Sequence, residues 1–168
     1  MLQDELQGRS GVAAAVAAAV TLWALLGGLV LLAVVGVNAA SVIGAAFGQP
    51  LSGDFEMTEM GIAIAVFAFL PYCQLTDANV TADIFTARAR APLVALLRAL
   101  ASLIAFGFGC VLVWRMSLGM LDQRDYSATT AILQIPVWWA YLPILISLLL
   151  LVAAALLTFA ESLREARR

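Results

Sequence analysis

The sequence predicts an all-α integral membrane protein, a bundle of four transmembrane helices with a short helix between the second and third spans. Of the 168 residues, 64% are hydrophobic and 12% are charged, whereas soluble domains carry about 25% charged residues. The mean hydropathy is +1.01. Four apolar runs are long enough to cross a hydrocarbon core of about 30 Å. We therefore expect residues 1–168 to form a single four-span membrane domain.

The first span is predicted at residues 12–37, a run of 26 uncharged residues. As a helix this run would measure about 39 Å, enough to cross the membrane with tilt. A cleaved signal peptide is the competing interpretation, but the apolar part of a signal is only about 7–15 residues long. The leader MLQDELQGRS also sets one arginine against two acids. Residues 38–53, uncharged and rich in small side chains, are predicted to form a loop on the membrane surface.

The other three spans are predicted at residues 55–73, 93–114 and 137–159. Acidic residues open the second span, where the helix dipole favours them. Prolines open the third and fourth, as is common at the first positions of helices. Pro136 precedes the fourth span, and Pro143 is expected either to kink that span or to lie in its first turns.

The arginines predict the orientation, since the chain has no lysine. Seven of the nine fall on one side of the four spans, and only Arg115 and Arg124 fall on the other. The positive-inside rule therefore predicts that both termini and the segment between spans two and three are cytoplasmic. An aromatic belt at the outer interface would then consist of Trp114, Trp138, Trp139 and Tyr141.

Residues that hold metals or activate substrates are scarce. The chain has no histidine, which argues against a b-type cytochrome and against most metalloenzymes. Cys73 and Cys110 are predicted at different membrane depths, so we expect no disulfide and read both as small apolar residues. The sequence shows no nucleophile–base pair and no glycine-rich phosphate loop. We predict no catalytic residue, no metal, no cofactor and no nucleic-acid partner.

Acidic residues inside a membrane span are functional candidates. Glu56 and Glu59 lie three residues apart on one face, at the outer end of the second span. They would form an ion site, a proton relay or a salt bridge to a partner subunit, unless both are simply solvated among the headgroups. Arg98, about one and a half turns into the third span, either snorkels to the interface or pairs with Asp83 or with another chain.

The polar segment CQLTDANVTADIFTARARAP, residues 73–92, is predicted to contain the short helix, beginning near Asn79. Asp83 and Arg90 would lie on one flank of its apolar seam and Arg88 on the other. The seam itself would consist of Val80, Ile84, Ala87 and Ala91. The NVT at Asn79 matches a glycosylation sequon, but we do not expect modification of a cytoplasmic segment. We expect these charges to fix orientation and to contact a partner.

Three motifs together resemble a known family. Glu56 stands at the outer start of span two, NVTAD follows at residues 79–83, and LQIPVWWAYLP at residues 133–143 includes Ile135, Pro136 and Trp138. This arrangement resembles the DctQ-like small membrane subunit of tripartite ATP-independent periplasmic (TRAP) transporters over nearly the whole chain. The chain departs from the family pattern at Asn79, where histidine is common. It also departs where the family often has basic residues, at Glu59, Leu75 and Thr76.

The resemblance implies a non-catalytic small permease subunit of a sodium-coupled TRAP transporter for organic acids, of the dicarboxylate or sugar-acid type. A periplasmic substrate-binding protein would deliver the substrate, and a large multi-span subunit would carry the substrate and sodium sites. This chain would lie among lipids of the bacterial inner membrane, scaffold the large subunit and help dock the binding protein. The residues expected at the interface or in orientation are Glu56, Glu59, Asn79, Asp83, Arg88, Arg98, Pro136 and Trp138.

Two other functions are compatible with the sequence. A small self-associating channel or exporter would need polar residues along a pore, and the first and fourth spans have almost none. A membrane thiol enzyme would need a reactive Cys73 or Cys110, and neither has a neighbouring base in the sequence.

Overall fold

The structure, a computed structural model, describes residues 11–76 and 91–166. These residues form four helices, which we number in chain order: α1 Val12–Ala46, α2 Asp54–Leu75, α3 Ala91–Asp125 and α4 Trp138–Ala166. Each helix is long and apolar enough to cross a membrane, so the predicted four-helix membrane bundle is confirmed. The short helix predicted from Asn79 onward lies outside the described residues.

All four helices are longer than the spans predicted for them, and α1 and α3 exceed their predicted spans the most. α1 continues past residue 37 to Ala46, so the predicted loop is wrong for residues 38–46. Asn38 stays in the helix because its amide donates to the Val34 carbonyl oxygen at 2.9 Å and to the Thr58 hydroxyl at 2.7 Å. α3 continues past Trp114 to Asp125, since residues 115–125 contain no proline and mostly good helix formers.

The central helix is α4. It packs against α2 on one side and α3 on the other, while α1 packs mainly against α2. The most apolar stretch of α4 is 39% buried, against 17% for α3, because α3 has only one main neighbour. The order across the bundle is therefore α1, α2, α4, α3, and the outer sides of α1 and α3 are its two edges.

Two apolar clusters join these helices. One brings Val20 of α1, Leu75 of α2 and Ala154 of α4 together. The other surrounds Leu148 of α4 with side chains of both α2 and α3, and Leu148 is completely buried. Because lipid tails are as apolar as these side chains, close packing rather than escape from water holds the clusters together.

Hydrogen bonds cross the same interfaces. The Trp23 indole N–H of α1 donates to the Ser147 hydroxyl of α4 at 2.8 Å, and that hydroxyl donates to the Pro143 carbonyl oxygen at 2.8 Å. The Gln74 amide of α2 donates to the Thr158 hydroxyl of α4 at 3.1 Å. Polar groups inside a membrane protein need such partners, and these bonds fix the register of α4 against α1 and α2.

Glycines allow α1 and α2 to approach closely. A β-carbon at Gly27 would lie 2.6 Å from the Ala68 β-carbon, and one at Gly61 would overlap the Val34 side chain. Small residues at such crossings bring two helix backbones within van der Waals contact. Pro143 lies in the second turn of α4, in agreement with its predicted place near the start of that helix.

Candidate functional site

The α1–α2 and α3–α4 connections lie at the same end of the bundle, which we call the loop end. The α3–α4 loop, residues 126–137, is folded as a small hairpin with an antiparallel bridge between Thr129 and Pro136. The Thr130 N–H donates to the Ile135 carbonyl oxygen at 2.9 Å, and the Val137 N–H donates to the Ala128 carbonyl oxygen at 3.0 Å. Residues 131–134 form the tip of the hairpin.

Glu56 binds the hairpin tip. One of its carboxylate oxygens, Oε1, accepts the Ile132 N–H at 2.7 Å, and the other, Oε2, accepts the Leu133 N–H at 2.9 Å. Backbone N–H groups at a hairpin tip have no partner across the ladder, so a carboxylate from the first turn of α2 supplies the acceptors. Charge-assisted bonds to two adjacent N–H groups fix both the position and the orientation of the tip.

A second contact joins the two loops. Gly53, which precedes α2, has a φ of 85° and is buried beneath the Leu133 side chain. A β-carbon at this position would lie 2.5–2.9 Å from three carbon atoms of Leu133. Gly53 therefore serves two purposes, since it adopts a left-handed conformation and leaves room for the hairpin tip.

Pro136 and Trp138, both predicted as site residues, lie where the hairpin joins α4. Pro136 is in the bridge to Thr129, and Trp138 is the first residue of α4. The Arg124 guanidinium, in the last turn of α3, lies over the Trp138 ring at 5.8 Å from its centroid. This cation–π contact joins the two ends of the loop.

Glu59 has a different environment from Glu56. It is exposed, and it lines a groove of about 580 Å³ that contains no basic residue. We call this the α2–α3 groove, because it lies between those two helices. Residues of α4 form its floor, and the α3–α4 loop covers the part nearest the loop end. Its apolar walls include Met60, Ala63 and Phe67 of α2, Met116 of α3, and Ala140 and Ile144 of α4. Glu56 lines the same groove, and it is in addition bonded to the loop.

The structure describes only one of the remaining predicted site residues. Arg98 is exposed on α3. Asn79, Asp83 and Arg88 lie outside the described residues, so the predicted pairing of Arg98 with Asp83 does too. Cys73 of α2 and Cys110 of α3 are free thiols. Within residues 11–76 and 91–166, no group of three or more acidic, cysteine or histidine side chains is arranged to hold a metal ion.

The sequence reasoning did not find the partners of Glu56. They are backbone N–H groups of Ile132 and Leu133, which have no side-chain signature. Gly53 carried a weak signal, since a glycine directly before an acidic helix start is typical of a helix boundary. The contact of Arg124 with Trp138 had no signal, because it depends on the folded path of the loop between them.

Comparison with protein-family models gives one match. Residues 34–165 match the model described as tripartite ATP-independent periplasmic transporters, DctQ component. Comparisons with curated proteins and with solved structures give no significant match. The matched range covers more than half of the chain, from the second half of α1 to the end of α4, and includes Glu56, the hairpin and the α2–α3 groove. The chain therefore belongs to the DctQ family of TRAP transporter components, whose members are small permease subunits.

Proposed function

We propose that this chain is the non-catalytic scaffold of a sodium-coupled TRAP transporter for organic acids, packed beside a large transport subunit. Proteins of the DctQ family work in general with a large membrane subunit and a periplasmic binding protein. The large subunit would hold the substrate and sodium sites, and this chain would position it in the membrane and help dock the binding protein.

The observation that carries the proposal is the filled interior of the bundle. Val20, Leu148 and Ala154 are completely buried at the helix contacts. The polar contacts between the described helices include two single bridges within apolar packing, Trp23–Ser147 and Gln74–Thr158. A charged organic acid would need a hydrated or polar route across the membrane. This arrangement favours a supporting subunit over a channel made by this chain alone.

The edges of the bundle offer the surface for the large subunit. α1 and α3 lie at the two ends of the helix row, and their outward side chains are large and apolar. Those at least 60% exposed on the two helices include Leu22, Leu25, Leu29, Leu32, Val42, Ile104, Phe108 and Trp114. Either lipid or a second membrane protein covers such faces, and a scaffold needs at least one for its partner.

The proposed orientation follows the arginines, with both termini on the cytoplasmic side of a bacterial inner membrane. The loop end would then face the periplasm, where Glu56 orients the hairpin for contact with the large subunit or the binding protein. Asn79, Asp83 and Arg88 would contact the large subunit at the cytoplasmic side, together with Arg98. Pro136 and Trp138 would hold the base of the hairpin.

Co-purification and transport test the proposal together. We expect a tagged chain in mild detergent to recover a much larger hydrophobic subunit, and sodium-driven uptake in proteoliposomes to require both subunits and the binding protein. Charge reversal by Asp83→Arg should weaken recovery of the large subunit before it alters substrate affinity. The matched control is Asp122→Arg, which makes the same charge reversal at an exposed site near the C-terminal end of α3.

Three results would contradict the scaffold function. Transport that survives deletion of this chain would remove the need for it. Ion conductance by the purified chain in liposomes would favour the channel. Redox activity lost in Cys73→Ala or Cys110→Ala would favour the thiol enzyme.

A further inference from the structure

The α2–α3 groove combines an apolar interior with a carboxylate at its edge. Its walls are mostly carbon, from residues of all three adjoining helices, and its two acidic residues are Glu56 and Glu59. Glu56 is bonded to the hairpin tip. Glu59 is exposed, and among the described residues no basic side chain forms an ion pair with it. The groove therefore presents one uncompensated negative charge beside an apolar channel.

The groove is long enough for a hydrocarbon chain. From Glu56 to Phe67 it follows α2 for eleven residues, or about 16 Å at 1.5 Å per residue. Its walls along this length are mostly apolar, and an extended hydrocarbon chain can lie along them.

The polar groups lie where a lipid headgroup would be. Glu56 and Glu59 are in the first two turns of α2, and Tyr141 is in the first turns of α4. Tyr141 lines the groove, and its hydroxyl has no hydrogen-bond partner among the described residues. Tyrosine and tryptophan concentrate at the membrane interface, and Trp138 and Trp139 begin the same helix. These residues place the mouth of the groove at headgroup depth.

We propose that the α2–α3 groove binds one phospholipid with a primary-amine headgroup, such as phosphatidylethanolamine. The ammonium group would donate to Glu59, the Tyr141 hydroxyl would donate to the phosphate, and an acyl chain would fill the groove between Ala63, Met116 and Ile144. An ammonium carries three N–H donors that match a carboxylate. A choline headgroup has the charge without the donors, and a glycerol headgroup leaves the lipid anionic and opposed to Glu59.

Native mass spectrometry of the full chain in mild detergent, with its large subunit where the two co-purify, tests the headgroup. Equal amounts of dioleoyl phosphatidylethanolamine, phosphatidylcholine and phosphatidylglycerol are added. The amine lipid should give the largest bound fraction. In Glu59→Gln, the ratio of bound amine lipid to bound phosphatidylglycerol should fall close to one. Asp122→Asn, an exposed carboxylate outside the groove, should keep the preference. Equal binding of the three lipids by the unmodified chain, or an intact preference in Glu59→Gln, would overturn the proposal.

A photo-crosslinking amino acid at Met60 identifies the occupant in the native membrane. Met60 lines the groove and is only partly exposed. A crosslinked product heavier by the mass of one amine lipid supports the proposal, and Ala63→Leu, which narrows the groove, should reduce its yield. Crosslinks at this position mainly to the large subunit or to a second copy of the chain would show that a protein covers the groove and would overturn it.

Discussion

The two connections at the loop end are held in different ways. The α1–α2 loop, residues 47–53, is short and bonded to its own neighbours, with the Gln49 N–H donating to the Gly44 carbonyl oxygen at 2.8 Å. The Ser41 hydroxyl of α1 donates to the Asp54 carboxylate of α2 and so joins the two helix ends directly. The α3–α4 loop is longer, and its tip is bonded to a carboxylate that lies 76 positions earlier in the chain.

This difference shows how the position of α4 depends on α2. A loop closed by local bonds joins only the helices on either side of it. The α3–α4 loop also binds α2 through Glu56 and covers Gly53 with Leu133. The hairpin leads directly into α4, the most buried helix of the bundle. A change in the first turn of α2 should therefore alter the position of the start of α4.

The largest effect is expected from Glu56→Gln. The substitution keeps the size of the side chain but replaces one of the two acceptor oxygens by an N–H₂ donor, which faces a backbone N–H. Amide hydrogen exchange at Ile132 and Leu133 should accelerate by roughly tenfold or more, since their protection depends on these bonds. Exchange at residues 47–49 should not change, because their N–H groups donate to carbonyl oxygens at the end of α1.

Glu59→Gln is the matched control for Glu56→Gln. It makes the same chemical change three residues along α2, at an exposed carboxylate with no bond to the hairpin. It should leave exchange at the hairpin tip unchanged. Equal acceleration by the two variants, or none in Glu56→Gln, would show that Glu56 does not hold the loop.

The sequence was sufficient for the number and approximate position of the spans, for the family and for Glu56 as a candidate, since hydropathy and an acid at a span start are local features. It was insufficient where the outcome depends on contacts across the bundle. Asn38 looked like a loop residue, but its amide is satisfied by Val34 and Thr58. The α2–α3 groove arises because α2 and α3 both pack on α4, and no periodicity in either helix indicates that shared neighbour.

A smaller effect is expected from Gly53→Ala, measured against Gly48→Ala. Both glycines have a left-handed φ, 85° and 77° respectively, so each substitution carries a backbone cost of about 1–2 kcal/mol. A β-carbon at Gly48 meets nothing within 4 Å, whereas one at Gly53 meets Leu133. Gly53→Ala should therefore lower the thermal unfolding midpoint in detergent more than Gly48→Ala does.

Amide hydrogen exchange at the hairpin distinguishes the Gly53–Leu133 contact from backbone strain at Gly53. If Leu133 is displaced, Gly53→Ala should accelerate exchange at the Leu133 amide and Gly48→Ala should not. Matching midpoints with unchanged exchange in both variants would mean that the α1–α2 loop does not support the hairpin tip.

The smallest effect is expected at the base of the hairpin, from Arg124→Gln. Arg124 interacts with the Trp138 ring at 5.8 Å, and a cation–π contact at an exposed site contributes about 0.5–1 kcal/mol. Its charge in the last turn of α3 also interacts favourably with the helix dipole, by about 0.3–1 kcal/mol. Arg124→Gln removes both terms, whereas Arg124→Lys keeps the charge and loses the planar stacking.

The unfolding midpoint should therefore fall most in Arg124→Gln and least in Arg124→Lys. In a Trp138→Leu background, the part of the Arg124→Gln effect due to the ring should disappear and the dipole part should remain. Exchange at Ile132 and Leu133 should stay slow in all of these variants, because Glu56 still holds the tip. If Arg124→Gln instead freed the tip as much as Glu56→Gln, the hairpin would be positioned from its base, and α2 would not set the start of α4.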